Sequence, residues 1–165
     1  MFRFKDSNYL TVPNHPDIKV GNGLKVENGS VFTVVDKVVT EATPSDTELY
    51  FAFNILDKPE LLNTDDFVLE DGKDVRAYRM KDCVGLSFDA SASVLDDMVN
   101  EYPTINKGDT LVPVKTADDR LKLTSGAITT GGVGFKVIKK NTFGQFTHYL
   151  GKDVPGGFEL EVVLG

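Results

Sequence analysis

Strand-like runs recur along this chain at roughly 8–12-residue spacing, with very little between them that reads as helix. SVFTVVDKVVT (30–40) is rich in β-branched residues, and ELYFAFN (48–54) is aromatic and alternating. Further runs are CVGLSF (83–88), DTLVPV (109–114), RLKLT (120–124), GFKVIKK (134–140), GQFTHYL (144–150) and GFELEVVLG (157–165). DFVLEDGKDVRAYRM (66–80) reads as a hairpin joined near Asp71-Gly72, a dipeptide that accepts φ > 0. Asn22-Gly23, Asn28-Gly29 and Asp118-Asp119 supply turn chemistry between the runs. One helix is expected over SASVLDDMVNEYP (91–103), capped by Ser93, stopped by Pro103, with Val94, Leu95, Met98 and Val99 as its buried stripe. Asp57-Lys58-Pro59-Glu60 is expected to cap a further single turn. The fold class is therefore all-β: a compact β-barrel or β-sandwich with one short helix.

A chain of 165 residues is one ordinary β-rich domain (1–165), or two intimately packed lobes at about 1–101 and 102–165. With 41% hydrophobic residues, including 11 Phe and 5 Tyr, it can bury a proper core. The net charge of −7 is uneven, with 19 acidic against 10 basic residues up to Glu101 and 6 against 8 thereafter. An acidic chain repels phosphate backbones, and Lys136, Lys139 and Lys140 are too few for a groove, so no nucleic-acid partner is expected. Strand alternation would place Lys136 and Lys140 on one face and Lys139 on the other. No apolar run is long enough for a signal peptide or a membrane helix, so no membrane partner is expected. The single Cys83 permits no internal disulfide, fits a protein made in a reducing cytoplasm, and reads as a small buried hydrophobe.

Chemistry is hard to find. TTGGVGFKV (129–137) has the glycines of a phosphate cradle but not its context, because a strand rather than a helix follows. It reads as a turn. The two histidines, His15 in a loop and His148 in a strand, have no nucleophile motif beside them, and no catalytic residue is assigned. Asp65-Asp66 and Glu70-Asp71-Gly72-Lys73-Asp74 lack the order of a calcium loop, so no metal site and no cofactor are assigned. There is no Trp to stack a sugar, although Tyr50, Tyr78, Tyr102 and Tyr149 could do part of that work. At the N-terminus Met1, Phe2 and Phe4 alternate with Arg3 and Lys5. Such a segment either adds a strand to a partner's sheet, with the apolar side chains in pockets, or forms the first strand of its own sheet.

The later half of the chain, INKGDTLVPV, RLKLTSGAITTGGVGFKVIKKNTFG and FELEVVLG, resembles the capsid decoration, or head cement, proteins of tailed bacteriophages. The likeness lies in a K-G-D-x-L strand, an L-x-x-x-S-G-A turn, a glycine turn into a strand and a short apolar last strand. VGNGLKVENGSVFTVV and VRAYRMKDCVGLSFD are similar in style. The resemblance implies a non-enzymatic virion protein on the capsid surface, made in the host cytoplasm. Its partner would be the major capsid protein lattice, with a homo-oligomer as a further option. The competing expectation is a small β-barrel ligand-binding module or a carbohydrate-binding head appendage.

Overall fold

A computed structural model describes residues 2–5, 12–53 and 68–165; of Phe4 only the backbone is described. Met1, the turn expected at 57–60 and the acid pair Asp65-Asp66 lie outside the described residues.

Short β1 (Phe2–Phe4) is followed by β2 (Asn14–Lys19), β3 (Val31–Val35), β4 (Val38–Thr40), β5 (Tyr50–Ala52) and β6 (Asp74–Arg79). Strands β2 to β6 close into a barrel in the order β2-β4-β3-β5-β6. The chain then passes through a 3₁₀ turn (Met80–Cys83) to β7 (Ser87–Ser91), a second 3₁₀ turn (Ala92–Val94) and helix α1 (Met98–Thr104). There follow β8 (Thr110–Lys115), β9 (Leu121–Ser125), β10 (Val133–Asn141), β11 (His148–Tyr149), β12 (Lys152–Asp153) and β13 (Gly157–Leu164). A second, antiparallel sheet runs β1-β7-β13-β10-β8-β9, while β11 and β12 form a small separate hairpin. The all-β expectation thus holds, as a closed barrel packed on a sheet. Apart from β1, the two sheets divide the chain near Met80.

Alternation explains how the two layers share a core. Ile18, Phe32, Val39, Ala52, Val75 and Ala77 belong to one buried cluster that fills the barrel with side chains. Their strand neighbours Val31, Phe51 and Tyr78 point the other way and join Phe88, Phe135, Phe158 and Leu160 of the large sheet. The centre is aromatic: Phe2 stacks on Phe88 with ring centroids 5.0 Å apart, and Phe51 meets Phe88 edge-on at 5.2 Å. Cys83 is fully buried, and burial pushes its thiol up to about 12.

Local expectations needed correcting where turn chemistry was concealed. The run 30–40 is a hairpin, not one strand: Asp36 (φ 50) and Lys37 (φ 64) make a two-residue turn without glycine. The Asp71-Gly72 turn exists, but Leu69 before it bridges Val26, while β6 after it pairs with β2 and β5. Cys83 ends a 3₁₀ turn, and the strand expected from there begins at Ser87. His15 lies in β2 rather than in a loop. The helix starts at Met98 because Leu95 is bridged to Leu123 and Asp97, not Ser93, caps it by accepting from the Asn100 N–H at 3.2 Å. Pro103 sits inside the last turn and Val99 faces solvent, whereas Val94, Leu95 and Met98 are buried. A bulge between Val137 and Lys139 puts Lys136 and Lys139 opposite Glu161 and Glu159 on one face, with Lys140 opposite Phe158 on the other.

Candidate functional site

The most unusual chemistry sits where barrel and sheet meet. Glu27 follows the Lys25 and Val26 bridges of the barrel rim, Arg120 and Lys122 flank Leu121 of β9, and Tyr149 closes β11. Residues up to 122 positions apart in sequence converge on one carboxylate. Glu27 accepts from Lys122 Nζ at 2.6 Å, from Tyr149 OH at 2.7 Å and from the Arg120 guanidinium. Lys122 also donates to the Ser93 carbonyl at 2.7 Å and lies over the Tyr149 ring at 4.1 Å. Arg120 Nε reaches Asp118 Oδ2 at 2.8 Å. Ser30 locks the geometry by accepting the Glu27 backbone N–H at 2.9 Å and donating to the Leu121 carbonyl at 2.8 Å.

Glu27, Lys122 and Tyr149 are all buried, and burial shifts the titration of Lys122 and Tyr149. Burial draws the Lys122 ammonium below its ordinary pKa, against the pull of Glu27. Burial first, and the Glu27 carboxylate second, push the Tyr149 phenol well above the usual tyrosine range. Burial is the largest single influence on Arg120 and opposes its charge, but Glu27, Tyr149 and Asp118 together outweigh it and raise the guanidinium above its ordinary pKa. Two acids (Glu27, Asp118) meet two bases (Arg120, Lys122), and the hydrogen bonds satisfy the charge that burial has stripped of water. The arrangement braces: Lys122 is 4% exposed, and its amine is taken up by Glu27 and the Ser93 carbonyl.

A second ionic system crosses the large sheet. Arg3, Asp89, Glu159 and Lys139 stand side by side across β1, β7, β13 and β10. Arg3 pairs with Asp89 at 3.1 Å, while Glu159 takes Lys5 at 2.6 Å and Lys139 at 3.1 Å. Hydrogen bonds from Lys5, and then from Lys139, hold the Glu159 carboxyl below its ordinary pKa.

The residues singled out in the sequence are scattered. Phe2 is 3% exposed, inside the chain's own aromatic core, with β1 paired to β7. The glycine stretch is a turn into β10: Gly132 leaves no room for a Cβ, which would lie 2.9 Å from the Thr129 carbonyl, and Gly134 accommodates the Ile128 side chain. Asp71 caps a turn by accepting from the Gly23 N–H at 3.0 Å, and Asp74 pairs with Lys19. His15 Nε2 is 3.9 Å from Asp82, and His148 Nδ1 is 2.7 Å from Asp153. Tyr78 and Tyr149 are buried. Among the described residues no three metal-ligating side chains converge, and no helix is long and apolar enough to cross a membrane.

One surface element stands apart. The segment from Phe143 to Val154 carries Phe146, 90% exposed, and Leu150, 58% exposed, around the β11–β12 hairpin. Gln145, Phe146, His148, Asp153 and Val154 line an open depression there. No protein-family model, no curated protein and no solved structure matches the chain.

Proposed function

We propose that this chain is a non-enzymatic structural protein of a virion, which decorates a tailed-bacteriophage head by binding the lattice of the major capsid protein. The observation that carries this reading is how the charged side chains are used. Glu27 takes three donors and Glu159 two lysines, so ionic groups tie strand to strand and sheet to barrel instead of converging on an open cleft. A clamp on a pressurised shell needs a body that transmits load without rearranging, and many weak surface contacts rather than a reactive centre. The likeness of residues 105–165 to head cement proteins points the same way. On this reading the chain is made in the host cytoplasm, ends on the capsid surface, and self-associates there where neighbouring copies meet.

Stripping purified particles and counting this chain against the major capsid protein tests the proposal. A copy number near that of the lattice is expected. A handful per particle would place the chain at a portal, tail or fibre instead. The depression at His148 and Asp153 favours a second reading, a small ligand-binding module. Saturable binding of a small polar ligand or glycan that fails in His148→Ala would establish it.

A further inference from the structure

Phe146 and Leu150 are exposed, which alone is ordinary. Their backbone is not. Phe146 has φ 68 at the third position of a turn closed by the Thr147 N–H and the Gly144 carbonyl at 3.2 Å. Leu150 has φ 48 and precedes Gly151 with φ 75, the two central residues of the β11–β12 turn. Glycine or asparagine fills such positions without strain, whereas a bulky apolar side chain there is disfavoured and recovers nothing by burial. The chain accepts this strain twice within five residues, each time to hold an apolar group in water.

The body also fixes where these groups project. Tyr149, directly before Leu150, is anchored on Glu27 at 2.7 Å. Val154 is 2% exposed and donates its N–H to the Thr147 carbonyl at 2.9 Å. At the other end Gly144 packs so closely that a Cβ would lie 2.5 Å from the Ser91 side chain. The hairpin is thus a held prong, whose polar flank is Gln145, His148, Lys152 and Asp153.

Resting on the capsid-binding reading above, we infer that this prong is the docking element, seating Phe146 and Leu150 in an apolar socket with a polar rim on the capsid protein. A protein socket fits better than a lipid surface because the chain's net charge is −7 and the hairpin offers one lysine, which gives no attraction to anionic headgroups. An aromatic anchor ringed by polar side chains matches the anatomy of a protein interface, where aromatic residues are enriched at the core and the rim is polar.

The test uses the full chain and two full-length variants, Phe146→Asn and Leu150→Asn. Each is followed by thermal unfolding and by co-sedimentation with phage heads lacking the protein. Asparagine suits the left-handed backbone, so each variant should melt higher, by about 2–4 °C, while binding heads about tenfold more weakly or not at all. Unchanged binding by both variants, with the parent chain bound, would overturn the prong and leave the capsid reading standing. A parent chain that ignores the heads would sink both. Vesicles of phosphatidylcholine with phosphatidylglycerol form the last arm: Phe146-dependent vesicle binding would overturn the protein socket in favour of lipid, and its absence supports the socket.

Discussion

Tyr149 and Leu150 are adjacent in sequence, yet they belong to opposite regimes of the molecule. Tyr149 carries a polar hydroxyl into the interior, where Glu27, Arg120 and Lys122 surround it. Leu150 carries an apolar side chain out into water on a backbone that leucine seldom adopts. Inside, every charge in the cluster has partners, so the polar groups specify how the barrel sits on the sheet. Outside, Phe146 and Leu150 are exposed, and the proposal above gives them the task of meeting a partner. The inverted placement separates a braced interior from an exposed apolar prong, and on the proposed reading it separates rigidity from recognition.

The largest test of this contrast is Glu27→Gln. It leaves Lys122 and Arg120 facing each other without their shared carboxylate, and should cost about 3–5 kcal/mol in urea unfolding. A loss below 1 kcal/mol would mean that the cluster is not what joins the layers. Tyr149→Phe removes only the hydroxyl and should cost about 1–3 kcal/mol. It should also speed amide hydrogen exchange in 147–154 ahead of the rest, which separates loosening of the prong from global unfolding.

Alkaline pH probes the interior more gently. The folded pKa of Cys83 is raised to about 12, so the unfolded chain releases this proton first. Stability from the protonated thiol is complete below its unfolded pKa of ~8.5 and is lost as pH climbs from there through 12, by about 1.4 kcal/mol per unit in mid-window. Tyr149, also raised, adds to the loss above its own unfolded value, while Lys122, lowered, opposes it on approaching ~10.4. Cys83→Ala should flatten the decline of the urea midpoint above pH 9, and an identical decline would place the thiol in contact with solvent. The smallest effect is expected at the surface. Arg3→Ala breaks an exposed pair with Asp89 and should change stability by about 0.2–1 kcal/mol, less at high salt.

How far the sequence could be read follows from the range of each interaction. Alternation and glycine turns are local, and they placed β8, β9, β10 and β13 to within a residue or so. The barrel's β3–β4 turn was hidden because Asp36-Lys37 carries no glycine and sits inside an unbroken β-branched run. The bulge at Ile138 reversed the faces assigned to Lys139 and Lys140 for a similar reason: an extra residue leaves no mark in composition. The ion cluster was illegible. Lys122 stands between Leu121 and Leu123, where alternation sends it to solvent, and residues distant in sequence, among them Glu27, Ser93 and Tyr149, enclose it. The one sequence signal was a lysine flanked by leucines in a short strand, too common to single out. In the sequence Phe146 and Leu150 look like part of a strand, and their exposure becomes visible only with the turn geometry.

The most direct measurement is a sedimentation titration of the full chain against heads that lack it. Saturable binding at a fixed, lattice-like ratio, with the free chain disappearing from the supernatant until that ratio is reached, is the predicted result. A chain that stays in the supernatant at every ratio would contradict the account.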